Sequence, residues 1–484
     1  MTRARHACAA LAAVSLAACV STTEGTPRVS TVDPASLGLD GPAAAQPATD
    51  WWTALGDPQL DRLVSAALAG NPGLAAALAR VRAAVQQANA AGAGLDPRVD
   101  FDLGVYRSKV SSNYIYPPPY AGSTFWDGRV GFNLVWTLDF WGRQAALIEQ
   151  ASSTARASAL DADAAALAVS GAVTQTYVDL ARTIALEAVA TDSVADRERI
   201  VELTTRRAQA GLDGDTELES ARAQRALAGV ALEQARLGRT LATHALATLT
   251  GRSAAAPVDL AAPSPDLGRS LALPDVLPAD LLAHRPDVAA ALARVDAARA
   301  GRDAAHAAFY PNINLIGFAG FTAVGLDSLP KGDSQTWTLG PAIHLPVFDS
   351  GRLKAEHAKS TAELDAAVAT YNDTVLRAIR EAADQAARVR QLDAQLAEQS
   401  RALAAAEKAE ALAGRRYAAG LANYLTVLNA ANVANDVRRQ RANLLADRTQ
   451  AGIALVVALG GGWNGHAGAP AASHAANTPL ETPK

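Results

Sequence analysis

Four acidic residues within seven positions, Asp213, Asp215, Glu217 and Glu219, form the densest group of side chains able to hold a cation or pass a proton. Their spacing superficially suggests a calcium loop. Such a loop needs Gly at its sixth position for the tight turn and a Glu at its end; here Leu218 takes the sixth place and the terminal Glu is missing. Acids also sit well at the start of a helix, where the backbone dipole favours negative charge, and that reading suits Asp215 equally well. Enzymatic chemistry has little to rest on. The histidines are scattered with no HExxH pair, and there is neither a GxSxG nucleophile elbow nor a phosphate loop. No catalytic residue, metal or cofactor is expected.

One further side chain points to chemistry of another kind. Arg3, Arg5 and His6 make a basic start, Ala7–Ala18 is a short apolar run, and Leu16-Ala-Ala-Cys19 closes it. That order is a bacterial-type secretory signal. Cysteine directly after Leu-Ala-Ala resembles a lipobox, so Cys19 is expected to become the lipidated first residue of the mature chain. The only other cysteine, Cys8, leaves with the signal, and the exported protein has no internal disulfide to form. Val at position 20, where inner-membrane lipoproteins would lead one to expect Asp, favours the outer membrane.

The elements that position the acidic group occur twice. AAALARV at 75–81 returns at 289–295, WTLDFWGR at 136–143 returns as LPVFDSGR at 345–352, and RAQAGL at 207–212 returns as RYAAGL at 416–421. Gly142 precedes Gly211 by 69 positions, as Gly351 precedes Gly420; a further 40 lead to Gly251 and to Gly460. Two copies of one unit therefore build one body. The chain divides into a signal peptide (1–18), a linker (19–50), a first repeat (51–253), a connector (254–278), a second repeat (279–463) and a disordered tail (464–484).

Each copy reads helix, two strands, very long helix, turn, shorter helix. Val99, Phe101, Leu103 and Val105 alternate with polar or small residues over Arg98–Tyr106, and Val130, Phe132, Leu134, Trp136 and Leu138 do so over Val130–Leu138. The second copy has a Gly-rich strand near Asn312–Phe321 and an alternating run from Thr336 to Val347. Aromatic residues gather at the strand ends, as in the interfacial girdles of transmembrane barrels. From Gly142 to Gly211 a continuous helix would run roughly 100 Å. The return helices, near Asp215–Thr250 and Tyr424–Leu459, are 36 residues each, and the helices before the strands, near Asp61–Ala93 and Pro278–Tyr310, about 33 each. Stacked end to end, such a pair matches one long helix. Only 5% of residues are aromatic, and Ala dominates the apolar set, which suits closely packed long helices with seams such as Val169, Val173, Thr176 and Leu180, or Leu392, Leu396, Gln399, Leu403 and Ala406. A formal charge of −4 argues against nucleic acid as a partner.

Four lipid-facing strands cannot stand alone in hydrocarbon, because open edges leave backbone groups unpaired. Two chains would supply eight strands, whose interior side chains fill; three would supply twelve, wide enough for water. The expected fold is therefore mainly α with a small transmembrane β part: a trimeric α-helical coiled-coil tunnel continued by a 12-stranded β-barrel, four strands per chain.

The lipobox, the duplicated unit, Trp136–Arg143, Phe348-Asp-Ser-Gly-Arg352, and the run from Tyr417-Ala-Ala-Gly-Leu421 to Gly460-Gly-Gly-Trp463 resemble the TolC-type outer-membrane efflux channels, in the OprM-like lipoprotein branch (NodT-type). The resemblance covers roughly Trp51 to Trp463. It implies a homotrimeric export duct embedded in outer-membrane lipid, docking through its periplasmic tips to a membrane-fusion adaptor and through that to an inner-membrane RND pump. Ala210-Gly211-Leu212 and Ala419-Gly420-Leu421 match the tip turns that contact the adaptor. Thr426, Asn429 and Asn432 occupy gate positions where many relatives have an acidic residue, so the acidic first tip (Asp213, Asp215, Glu217, Glu219) is expected to supply cation attraction instead, twelve carboxylates in a trimer. Tyr417 matches a latch tyrosine, with Glu217 at the position of its acidic partner. The function expected is passive export of drugs or other small toxic compounds. A duct of this shape could instead serve protein secretion, and an adaptor lipoprotein is a third reading, though an adaptor should carry one hairpin, not two.

Overall fold

A computed structural model describes residues 26–37, 47–255, 260–261 and 284–464. Cys19, with most of the expected connector and tail, lies outside them. The elements run α1 (Pro58–Gly70), α2 (Pro72–Gly92), β1 (Arg98–Lys109), β2 (Thr124–Leu138), α3 (Arg143–Gln209), α4 (Asp215–Leu249), α5 (Pro286–Ala307), β3 (Asn312–Val324), β4 (Gln335–His344), α6 (Arg352–Ala418) and α7 (Tyr424–Ala458). Both long helices have 67 residues, about 100 Å each, and both return helices have 35.

The helix expected over Asp61–Ala93 is two. Asn71 leaves the helical region with ψ at 120°, and its Oδ1 accepts the amides of Gly73 (2.9 Å) and Leu74 (3.1 Å), while Pro72 supplies a first residue without an N–H. In the second copy the helix begins at Pro286, after an extended Arg285, and spans 22 residues instead of about 33. Strand bounds shift as well. β2 begins at Thr124 because the ladder continues through Asp127 and Gly128, which interrupt the apolar alternation. β4 ends at His344, and Leu345-Pro346-Val347 leave the ladder although they keep the alternation.

The strands form a single antiparallel sheet in chain order, β1-β2-β3-β4. The central pairing, β2 with β3, joins the two copies. The register sets Phe101 opposite Phe132, Phe132 opposite Ala319, and Ala319 opposite Trp337, so one face carries apolar rows across all four strands. That face is bare: Phe101 is 60% exposed and Trp337 75%. The opposite face carries Arg98, Asp100, Asp102, Arg129, Asn133 and Thr338.

Beneath the sheet the helices pack in the same order as the strands. α3 contacts α2 and α4 on one flank and α5 and α7 on the other, and α6 contacts α5 and α7. Four columns result: α2 above α4, then α3, then α5 above α7, then α6. Ala makes the seams thin. α5 buries Ala290, Ala293, Ala297, Ala300, Ala304 and Ala307, a helical spacing of methyl groups that lets backbones approach closely. Among the expected seam residues Val173, Leu180, Leu392 and Ala406 are buried, and Gln399 Nε2 donates to Val437 O at 2.9 Å.

One bulky core interrupts the columns, where Trp51, Leu55, Leu60, Leu63 and Val64 pack on Val173, Tyr177, Leu180, Leu246 and Ile453. The Tyr177 hydroxyl donates to Asp57 Oδ2 at 2.6 Å and accepts from Gln59 Nε2 at 2.9 Å. This fixes α1 against α3. Upstream, Arg28 and Val29 donate their amides to Asp365 Oδ1, and Val32 donates to Asn372 Oδ1, so the segment lies along α6.

Candidate functional site at the helical tips

Far from the sheet, each long helix ends in the same turn. Gly211 and Gly420 adopt φ of 70° and 75°, the left-handed conformation that ends a helix at little cost only in glycine. Leu212 N donates to Arg207 O at 2.9 Å and Leu421 N to Arg416 O at 2.8 Å, closing the last carbonyls of each helix. The next side chains have nothing to cover them: Leu212 is 66% exposed and Leu421 71%.

The turns begin new helices by different caps. After the first, Glu217 reaches back to accept Gly214 N at 3.0 Å. After the second, Asn423 Oδ1 accepts Thr426 N at 3.0 Å and Thr426 Oγ1 at 2.7 Å.

Between the turns lies a small core of Tyr417, Tyr424, Val427, Ala221 and Ala413, ringed by Ile200, Val201 and Leu203. At its edge Asp213 accepts both Arg207 Nε (2.8 Å) and Arg207 Nη2 (3.1 Å), the paired geometry in which a guanidinium holds a carboxylate best. The Tyr417 hydroxyl donates to Asp213 Oδ2 at 2.8 Å, lies 3.3 Å from Thr204 Oγ1, and its ring carries the Arg207 guanidinium at 4.7 Å. One carboxylate thus joins α6 to the α3–α4 turn. Arg207 holds the Asp213 carboxyl below the usual carboxylate range, and burial raises the Tyr417 hydroxyl above its ordinary value. Both shifts keep the bonded protonation states in place at neutral pH.

The partner of Tyr417 is therefore Asp213, not Glu217. Glu217 is committed to capping α4, three residues into the helix, while Asp213 stands in the turn itself, with its side chain only 10% exposed. The open cluster of four acids is likewise reduced. Asp213 is paired inward, Glu217 caps, and Glu219 pairs with Arg222 at 2.7 Å; Asp215 is exposed in the first turn of α4. Arg207 was not singled out by its sequence. The signal lay in the repeat: Arg207 and Arg416 match, but Tyr417 stands where the first copy has Ala208, so the bond between the copies is asymmetric.

Thr426, Asn429 and Asn432 do not form one cluster. Thr426 belongs to the α7 cap. Asn432 Oδ1 accepts Arg197 Nη2 of α3 at 2.6 Å, and Asn435 Nδ2 donates to Ser193 Oγ at 2.7 Å, so this stretch ties α7 to α3. Asn429 is exposed beside the exposed Leu425 and Val433.

The duplicated wall and its paired tips agree with what known proteins of similar sequence and structure look like. The profile of the family described as outer membrane efflux protein matches residues 63–252 and 277–461. The chain belongs to the outer membrane efflux protein family. This efflux protein is 32% identical to the pyoverdine export outer membrane protein OpmQ of Pseudomonas putida, over 96% of its own length and 98% of the relative's. It is 34% identical to the fusaric acid resistance protein FusA of Burkholderia cepacia over 72% of its length and 68% of that protein's. Among solved structures, the outer membrane protein VceC of Vibrio cholerae superposes with a TM-score of 0.79 at 32% identity, covering 86% of the efflux protein and all of VceC. The outer-membrane channel OprN superposes at 0.79 and 26% identity, over 92% and 99%.

Proposed function

We propose that three copies of this efflux protein assemble into a passive exit duct, the outer-membrane part of a tripartite RND-type system that expels small toxic molecules. The observation that carries this reading is the sheet. Among the described residues β1 pairs only with β2 and β4 only with β3, so each outer strand has a free edge there, while one face is apolar and bare. Such a sheet is stable in lipid only as part of a closed barrel, and twelve strands from three copies leave an aqueous lumen. Because each strand stands over one helical column, closing the barrel also closes a helical wall. The outer column offers a seam for this: Leu227, Val230, Leu237 and Leu241 lie exposed on α4 at helical spacing.

Leu212 and Leu421, exposed apolar residues on equivalent turns, are the contacts we assign to a periplasmic membrane-fusion adaptor. The bond between Tyr417 and Asp213 holds the two tips of a protomer together and so holds the entrance closed. Pyoverdine and fusaric acid, in the names of OpmQ and FusA, support small organic cargo. The duct catalyses nothing; energy comes from the pump.

A lipid on Cys19 fits the path of the chain. The Arg28 amide donates to Asp365, only 13 residues down α6 from Arg352, about 20 Å from the end of that helix nearest the sheet. The nine residues from Cys19 to Arg28 can span up to about 30 Å, enough to reach the membrane surface beside the barrel.

Outer-membrane fractions run without boiling should give a trimer band that heat collapses to a monomer, and the purified protein should give discrete conductance steps in planar bilayers. A detergent-stable monomer that is silent in bilayers would end this reading.

A further inference from the structure

On the polar face of the sheet, among its charged residues, an apolar ring is out of place. Phe318, on β3, shares that face with Asp100, Asp102, Arg129 and Asn133. Its ring lies across two glycines that face each other, Gly131 on β2 and Gly320 on β3. A Cβ on Gly131 would stand 2.8 Å from Phe318 Cε2, and one on Gly320 would stand 3.0 Å from Phe318 Cζ; each would also meet backbone oxygen, at 2.5 and 2.1 Å. The glycines therefore leave a bare floor on which the aromatic ring rests, a known way of packing glycine within a sheet. On the ring, 4.0 Å from its centroid, lies the guanidinium of Arg129.

Arg129 reaches this place from four residues before Asn133, the register partner of Phe318, and Asn133 fixes it there: Arg129 Nη2 donates to Asn133 Oδ1 at 3.3 Å, and Asn133 Nδ2 donates to Asp102 Oδ2. Asp102 is one bond removed, Arg98 occupies Asp100 at 2.8 Å, and Asp127 lies two residues away toward the outer end of β2. Among the described residues Arg129 forms no ion pair, and it is exposed. A cation is thus held off the wall by an aromatic spacer, with its second face and remaining N–H groups open.

We propose that in the assembled duct the three Arg129–Phe318 stacks form a cationic ring in the strand region that favours anions and transiently holds aromatic carboxylates. This deepens, and rests on, the duct reading above. The chemistry follows from the guanidinium: its free face stacks on a second aromatic ring while its edge donates to a carboxylate. Exposure to water keeps such binding weak, which a conduction site requires, since a solute must leave as readily as it enters.

The test uses the full-length trimer in planar bilayers, with a KCl gradient for ion selectivity and salicylate as the probe. Arg129→Gln should move the reversal potential toward cation preference and weaken salicylate block about tenfold. Arg129→Lys should keep the wild-type reversal potential yet lose much of the block, because charge remains and the planar stack does not. Phe318→Leu, which keeps the cation but removes its platform, should also weaken the block. Arg129→Gln channels with unchanged reversal potential and unchanged block would overturn the ring and leave the duct standing. A wild-type trimer that gives no conductance steps would instead remove the duct, and the ring with it.

Discussion

Tyr417 shows how little chemistry the proposed latch would need. Its hydroxyl meets a carboxylate already bound by a guanidinium, so Tyr417→Phe removes one hydrogen bond to a charged acceptor without opening a cavity. The expected cost to the closed tips is about 1–3 kcal/mol. Resting single-channel current should rise while trimer yield stays the same; an unchanged current would show that the bond does not hold the entrance. Its pH dependence follows from both partners. The Asp213 carboxyl is held low, so its share of the closed state is present above the ordinary carboxylate value of about 3.9 and fades as pH falls through the lower folded value. The Tyr417 hydroxyl is raised, so its share is present below about 10 and fades as pH climbs through the higher folded value. Resting current should therefore be flat from about pH 5 to 9 and rise only in strong acid or alkali. Arg197 offers the opposite experiment. It is buried, its partner Asn432 is neutral, and among the described residues its Nη1 has no hydrogen-bond partner. Asn432→Asp would give that guanidinium a counter-charge and strengthen the α3–α7 tie by about 1 kcal/mol. Lower resting current and weaker drug resistance are expected from it; a leakier channel would contradict the pairing.

At the scale of elements, the repeat made most of the fold legible. Equal glycine intervals gave the two long helices, the two return helices and both tip turns, because a left-handed glycine after a helical run has few other uses. The break at Asn71 was hidden by continuous Ala-rich periodicity on both sides, and only the Asn-Pro pair marked it. The capping role of Glu217 was hidden differently. An acid three residues into a helix can bond its own backbone or a neighbour, and sequence spacing does not choose between them. Nor could any local pattern reveal the Arg129–Phe318 stack, which depends on the register of β2 against β3, strands separated by α3, α4 and α5. The α4 stripe makes a prediction at this scale. Leu237 and Leu241 are more than half exposed on one face of the outer column, so in the proposed trimer they would meet another copy. The double change Leu237→Glu and Leu241→Glu leaves the monomer's own core untouched and should abolish the heat-sensitive trimer band; a normal trimer would place the seam elsewhere.

For the whole molecule the open question is what holds it in the outer membrane, since it has two candidate attachments of very different strength. A single acyl chain gives marginal, reversible binding, and added acyl chains strengthen it at about 0.8 kcal/mol per buried methylene. The proposed twelve-stranded belt would be of another order, with rows such as Phe101, Phe132 and Trp337 repeated in three copies and no backbone edge left open. Cys19→Ser should accordingly leave the assembled trimer in the outer membrane, with resistance reduced only as far as delivery slows. Phe132→Arg keeps the anchor but places a charge on the apolar face opposite Phe101 and Ala319, at about 2–4 kcal/mol per copy if near the bilayer centre. Three copies raise that threefold, enough to prevent insertion of a marginally stable assembly. Fractionation should therefore find the Phe132→Arg protein membrane-associated, monomeric and extractable by mild detergent, and the Cys19→Ser protein trimeric and resistant. The reverse pattern would mean that the lipid, not the barrel, fixes this protein in place, and that the four strands close on something other than copies of themselves.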